Sequence, residues 1–308
     1  MNVLLLAVSD WAGMGSLLCQ SLCKVGVNAK IHTTKRGKYK HPSVSINRNQ
    51  ALDFSKKCHV IQYMHSVKHP LNINLKNKKV VVFHGGGKFR FDYKNICKIF
   101  NPIVDCSIIQ TYDLFGLGAK NEIWLLPPID NDKIKPIYET KGNRIIVGHY
   151  PSSALGKGSD NVNKIINNIR GKVPDFEYRY SSERVSWDKQ IKRMSQVDIY
   201  IERMSLKNWK NSVSYRTGVW GITALEAAAL GKVVVTNFYG KKIYRKQYGE
   251  YALQVADSEK QMEKLLIKLL SLPKKELMIL KQNTRKWVEE KHSLESIGNR
   301  LRGIYERL

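Results

Sequence analysis

The sequence predicts an α/β protein of two domains, and three observations carry that expectation. At the start, the apolar run 3–8 passes through a glycine-bearing turn, SDWAGMGS, into the helix-forming segment 17–25, the order that opens a parallel sheet. Further on, YRTGVWGITALEAAALGKVVVTN runs from a glycine loop into a strong helix former and then a valine strand. The chain has 308 residues, enough for two such domains of about 150 residues each.

Composition narrows the class. A hydrophobic share of 43% is that of a globular protein, and no run approaches the roughly 20 apolar residues of a membrane span. MNVLLLAVSDW has no basic leader and its apolar run is cut by Ser9 and Asp10, so it is read as a first strand rather than a signal peptide. Five cysteines without a C-x-x-C point to a reducing compartment, hence a cytoplasmic protein, and to no metal cluster. Lys and Arg total 52 against 26 acidic residues, a net charge of +26 carried by both halves of the chain. Such a balance fits an anionic partner: nucleic acid, an acidic polymer or a membrane surface. It also follows from a lysine-rich composition spread evenly over a solvated surface.

The first domain is expected over residues 1–140. Gly26 would end the helix that follows the first strand, and Gly13 and Gly15 shape the turn between them. Asp10 stands at the carboxyl end of that strand, where doubly wound sheets place ligand chemistry; it is either a general base or a turn carboxylate capping the helix. Residues 34–48 read as a loop in which Lys35, Arg36, Lys38, Lys40 and Arg48 surround Tyr39, a mixture suited to phosphate contact and base stacking. Strands are expected at 60–63, 80–83, 104–110 and 125–129. His84 ends the second of these ahead of three glycines and is the imidazole best placed for catalysis, with a structural histidine as the alternative. KFRFDYK alternates Lys88, Arg90 and Lys94 with aromatic residues, as an acceptor-binding flap or an amphipathic strand edge would. The prolines of PPIDND and the lysines after them mark an interdomain linker, which argues against reading Asp130-x-Asp132 as a metal site.

The second domain is expected over 141–308. It opens with a strand at 144–147 and a loop, GHYPSSALGKGSD, in which Ser159 or Asp160 caps the next helix. Strands follow at 176–180 and 197–204, then the GVWG loop. A glycine loop before a helix N-terminus is a place where backbone amides and the helix dipole hold an anion such as a diphosphate. Glu226 lies inside the alanine-rich helix, and burying a carboxylate there without a partner is expensive, so a ligand with hydroxyls is the natural complement. From 258 onward the chain is helical, with a final helix around Trp287 and Ile297 packing back across the domains.

The motifs GVWG, LEAAAL and GKVVV, together with Lys157-Gly158 ahead of a helix, resemble the nucleotide-sugar-binding half of GT-B glycosyltransferases, in particular family 4. The resemblance implies two Rossmann-like domains facing across a cleft, with a terminal helix crossing back. It implies that Lys157 binds the donor diphosphate with the amides of Gly218, Trp220, Gly221, Ile222 and Thr223, and that Glu226 holds the ribose. Gly13 and Gly15 then touch donor phosphate or acceptor, Ser152 assists Lys157, and Asp198 and Glu202 match the family's Asp-x-x-x-Asp/Glu-Gln pattern, with Arg203 in place of the glutamine. One departure is plain: the family's first glutamate, eight positions before Glu226, is Gly218 here.

The function expected is therefore a metal-independent glycosyltransferase with no cofactor, using a nucleotide-diphosphate sugar such as a UDP-sugar and retaining anomeric configuration. With Gly218 in place of the family's first glutamate, inversion is the alternative, for which Asp10 or His84 is the candidate catalytic base; Lys35, Arg36, Lys38, Lys88 and Arg90 are the expected acceptor contacts. The charge and the basic-aromatic loops favour a phage-type enzyme acting in a host cytoplasm on hydroxymethylated pyrimidines in DNA. Transfer to a cell-envelope or lipid-linked glycan at a membrane surface is the alternative, and an inactive GT-B protein that binds nucleic acid is a third.

Overall fold

A computed structural model describes residues 1–35, 37, 39–140, 142–205, 208–210, 213–215 and 218–308, with the backbone alone for 208–210 and 213–215. Arg36 and Lys38 lie outside the described residues. The chain forms two compact units, Met1–Asp130 with His292–Leu308, and Asn131–Lys291. The division falls ahead of the expected boundary at 140, and the last segment of the chain belongs with the first unit.

The first unit runs β1 (Asn2–Ser9), α1 (Met14–Lys24), β2 (Asn28–Lys35), α2 (Arg48–Lys56), β3 (Val60–Tyr63), β4 (Lys79–His84), α3 (Gly87–Phe100), β5 (Cys106–Ile109) and β6 (Glu122–Trp124). Its strands form one parallel sheet in the order β2-β1-β3-β4-β5-β6. Continuous apolar runs such as LLLAV and VVVF suit strands covered on both faces; Leu4, Leu6, Ile61, Val80 and Val82 pack against Ala51, Phe54, Phe89 and Phe100 of the flanking helices.

The second unit runs β7 (Ile145–His149), α4 (Ala154–Lys157), α5 (Ser159–Ile169), β8 (Phe176–Tyr180), α6 (Trp187–Ser195), β9 (Ile199–Ile201), β10 (Asn208–Lys210), β11 (Val213–Tyr215), α7 (Ile222–Ala229), β12 (Val233–Thr236), α8 (Lys241–Tyr248), β13 (Gln254–Val255), α9 (Glu259–Leu270) and α10 (Lys274–His292). A parallel sheet in the order β13-β12-β9-β7-β8 is its centre, and β10 and β11 pair as an antiparallel hairpin. Asp198, just before β9, holds this sheet to α10: its carboxylate accepts the Ile146 amide at 2.8 Å, the Thr140 hydroxyl at 2.9 Å and the Lys281 ammonium at 2.5 Å. The chain closes with α11 (Leu294–Glu306), which packs on α1 of the first unit. Gly298 makes that approach possible, because a Cβ there would fall on the Ser21 carbonyl.

Several local expectations change. KFRFDYK is the start of helix α3, not a strand edge or flap; Phe89, Ile96 and Phe100 supply its buried face at helical spacing. Residue Lys35 ends strand β2 instead of lying in a loop. The last strand of the first sheet is β6, ahead of the expected 125–129. The cap of α5 is Gly158 in the left-handed region, φ +66, not Ser159 or Asp160. The final helix is two helices, because Ser293 takes an extended conformation and its hydroxyl caps α11 on the Ser296 amide.

Candidate active site

The charged centre of the second unit lies where β9 ends and α7 begins. Lys157 closes α4, whose first turn is fixed by the Ser153 hydroxyl on the Gly156 amide at 3.2 Å. Gly158 follows with positive φ and with no room for a Cβ against the Met204 carbonyl, so the Lys157 carbonyl can accept the Met204 amide at 2.9 Å. This is the local reason for a Lys-Gly pair: the glycine seats the lysine beside the residues that follow β9.

Glu202 is the hub. Its backbone N–H donates to the Val235 carbonyl at 2.8 Å, continuing the β9–β12 ladder by one residue. Its Oε1 accepts from the Lys157 ammonium, from Arg203 Nη2 at 3.1 Å and from the Gly221 amide at 3.3 Å, while Oε2 accepts the Thr236 hydroxyl at 2.7 Å. Burial alone would push the Glu202 carboxyl up, but Arg203 and Lys157 hold it down at about 2. Lys157 goes the other way: burial and the neighbouring Arg203 bring its ammonium down to about 8, against the pull of Glu202. Two cations share one carboxylate, and Arg203 Nε is buried with no hydrogen-bond partner among the described residues. A Cβ on Gly221 would stand 2.8 Å from Lys157 Nζ and 2.9 Å from Glu202 Oε1, so a larger residue here would make the ends of those two side chains move.

Helix α7 continues from that point. Ile222 and Thr223 are its first residues, half-buried, and first-turn amides of a helix have no intrahelical acceptor. Glu226 is buried one turn on. Its Oε1 accepts the Trp187 indole N–H at 2.7 Å, and burial, only partly offset by that bond, raises its carboxyl to about 7. Trp187 opens α6 and went unnoticed in the sequence, where nothing local marks a partner 39 residues away.

Other predicted positions do different work. The Trp220 side chain is buried edge-on among Phe238 and Tyr244, each at 4.9 Å, and Trp287 at 5.2 Å, the apolar burial that a large indole favours, so only its backbone amide is left for the expected donor contact. Gly218 is buried, and its carbonyl accepts the Gly240 amide at 3.1 Å. Ser152 is exposed ahead of α4. His149 pins β7 to its neighbours, with Nδ1 2.8 Å from the Ile201 carbonyl and Nε2 2.9 Å from the Ser159 hydroxyl; burial holds it neutral, at about 4.

In the first unit the glycine turn carries an anion of its own. Asp10 Oδ1 accepts the Gly15 amide at 2.6 Å, and Oδ2 accepts the Ser16 amide at 3.0 Å and hydroxyl at 2.7 Å, so the carboxylate sits on the N-terminus of α1. Although burial works against it, these bonds and the nearby His65 keep Asp10 below the usual carboxylate range. Gly13 takes φ +64 at the start of the helix, with His41 packed against it. His84 is buried, stacked on Phe89 at 3.9 Å, with Nδ1 2.9 Å from the Ser66 hydroxyl; burial lowers it to about 3, which suits a neutral structural ring better than a general base. Arg90 is bound to Asp113, with Nε to Oδ2 at 2.7 Å, whereas Lys88 and Lys35 are exposed.

No family model matches this sequence, and no curated protein does. Solved structures match along the whole chain. An alpha-glucosyltransferase in complex with UDP is 12% identical and superposes with a TM-score of 0.65, covering 99% of this chain and 100% of its own. The same kind of enzyme was solved with UDP-glucose and DNA containing an abasic site, again at 12% identity and a TM-score of 0.65, with 99% of each chain covered. HepE from Anabaena, in complex with UDP and glucose, is 12% identical with a TM-score of 0.62 and full coverage of both chains. The fold is therefore the α/β GT-B fold, two units each built on a parallel sheet, as those glycosyltransferases have.

Proposed function

We propose that the protein is a glycosyltransferase that moves a sugar from a UDP-sugar to the hydroxyl of a hydroxymethylated pyrimidine in DNA. The observation that carries the reading is the cluster of Lys157, Arg203 and Glu202 at the mouth of α7, with Glu226 one turn along the same helix. Lys157, Arg203 Nε and the amides of Ile222 and Thr223 present positive charge and unused donors to a diphosphate. Glu226, on a rigid helix and held by Trp187, presents a carboxylate oxygen to ribose hydroxyls. When the bond between the sugar carbon and the diphosphate oxygen breaks, charge grows on the leaving oxygen, and two fixed cations beside a helix N-terminus stabilise it without a metal ion. Retention of configuration belongs to this reading as an expectation from the family resemblance.

The net charge of +26 supports a polyanionic acceptor, as do structural neighbours solved with DNA. The test is incubation with UDP-glucose and DNA containing 5-hydroxymethylcytosine, read by mass spectrometry. One added hexose per modified base supports the reading; transfer to a lipid-linked glycan but not to DNA replaces the acceptor. Lys157→Ala and Glu226→Ala should both abolish donor binding, and if they leave it intact the protein is not the enzyme proposed. Duplex affinity should fall roughly 40-fold between 50 and 200 mM salt if about three phosphates are neutralised.

A further inference from the structure

The first unit holds a second constellation that donor chemistry does not use. From β1 the chain steps to β2 on one side and then returns to β3 on the other, so the topological switch point of the sheet lies between β1 and β3. The crevice at the carboxyl ends of such a strand pair is where doubly wound sheets bind ligands. Asp10 and Trp11 follow β1 directly, and His65 comes two residues after β3.

These three side chains meet. His65 Nε2 is 3.8 Å from Asp10 Oδ1, and the His65 ring lies 5.5 Å from the Trp11 ring, tilted by 35°. His65 is only 5% exposed, and its Nε2 is buried with no hydrogen-bond partner among the described residues. Trp11, by contrast, is 47% exposed, an unusual position for the largest side chain. Both loops are strained: Ala12, His65 and Ser66 take φ of 55°, 58° and 60°, a region L residues avoid and that clusters at functional sites. Gly37 lies so close that a Cβ there would stand 2.5 Å from the Asp10 carbonyl.

The distances suit a bridging oxygen. A separation of 3.8 Å is too long for a direct hydrogen bond, yet it lets one oxygen sit about 2.8 Å from both atoms. That oxygen has to donate to the carboxylate and accept from the imidazole N–H, which a hydroxyl does and a carbonyl does not. The exposed indole face beside it suits a flat ring. We propose that Asp10, Trp11 and His65 form the acceptor pocket, with a pyrimidine stacked on Trp11 and its hydroxymethyl oxygen bridging Asp10 and His65. The assignment rests on the glycosyltransferase reading for its acceptor class, while its geometry is independent of the donor site.

The experiment compares two short single-stranded oligonucleotides, one with a single 5-hydroxymethylcytosine and one with 5-methylcytosine, by calorimetry on the full chain. The hydroxymethyl form should bind at least about tenfold tighter, since the ring is common to both and only the bridging hydroxyl differs. His65→Asn, which tolerates positive φ, should erase that preference, and Trp11→Ala should weaken both oligonucleotides. UDP-glucose binding and thermal unfolding, measured on the same samples, should be unchanged in both variants. Equal affinity for the two oligonucleotides in the parent protein, or a preference that survives His65→Asn, overturns the assignment. Loss of UDP-glucose affinity in the parent would instead strike the donor reading and leave the oligonucleotide comparison standing.

Discussion

Donor affinity should follow a bell-shaped pH profile whose two limbs belong to Lys157 and Glu226. In the free protein, burial and Arg203 bring the Lys157 ammonium down to about 8. A diphosphate favours the charged form, so affinity is retained below that value and declines as pH rises through it. Glu226 behaves in the opposite sense: burial raises its carboxyl to about 7, and ribose hydroxyls donate best to the ionised form, so affinity declines as pH falls through that value. If binding requires both charged forms, affinity peaks midway between the two and is about sixfold lower at both pH 6 and pH 9. UDP-glucose is the suitable probe, because its diphosphate has no group titrating in this window. Calorimetry in buffers of different ionisation enthalpy should show proton release on binding on the acid side and proton uptake on the alkaline side. Lys157→Arg should flatten the alkaline limb, and Glu226→Gln the acid limb. A flat profile in the parent protein, or limbs that survive those substitutions, would refute the assignment of these two groups.

Three substitutions probe the scaffold around them. Trp187→Phe removes the donor on Glu226 Oε1, worth about 1.5–3 kcal/mol for a bond to a charged group, so the acid limb should move up by roughly 1–2 pH units. Gly221→Ala keeps an allowed backbone but presses a methyl against Lys157 Nζ and Glu202 Oε1; donor affinity should fall while stability, read by denaturant titration, drops by only about 1–3 kcal/mol. Lys281→Met should cost about 3–5 kcal/mol in the same titration, because it strands the buried Asp198 carboxylate that ties α10 to the sheet.

Much of the frame was legible in the sequence, because parallel strands buried on both faces leave continuous apolar runs. Strands β3 and β8 lie where 60–63 and 176–180 were expected, and the GVWG loop does lead into α7 and β12. Failures came where the deciding contact is remote in sequence. KFRFDYK satisfies a period of two over seven residues, and only Ile96 and Phe100 further along reveal the helical face. The packing of the Trp220 side chain was equally hidden, because its partners Phe238, Tyr244 and Trp287 come from later elements. Trp187 and His65 acquire their meaning only when the sheets bring them beside Glu226 and Asp10.

The role of Glu202 follows from the same electrostatics. Lys157 and Arg203 without it would be two buried cations side by side, each desolvated and each repelling the other, an arrangement that pushes Lys157 to give up its proton. With it, the cluster keeps one net positive charge, and Thr236 and the Gly221 amide fix the carboxylate so that both cations point from known positions. Glu202 has its own pKa lowered and Lys157 its own pKa lowered too, so what the pair contributes to stability on one side is offset on the other. The pair therefore stabilises the fold little, and in the proposed function it organises charge for an incoming anion. The same holds for Gly218, where the resembling family has a carboxylate: the acidic group at the mouth of α7 here is Glu202, whose oxygens are taken by Lys157, Arg203, the Gly221 amide and the Thr236 hydroxyl. If the protein is the glycosyltransferase proposed, recognition of the sugar comes from groups other than a glutamate at position 218, and a screen of UDP-sugars against Gly218→Glu should change sugar preference without changing affinity for UDP alone.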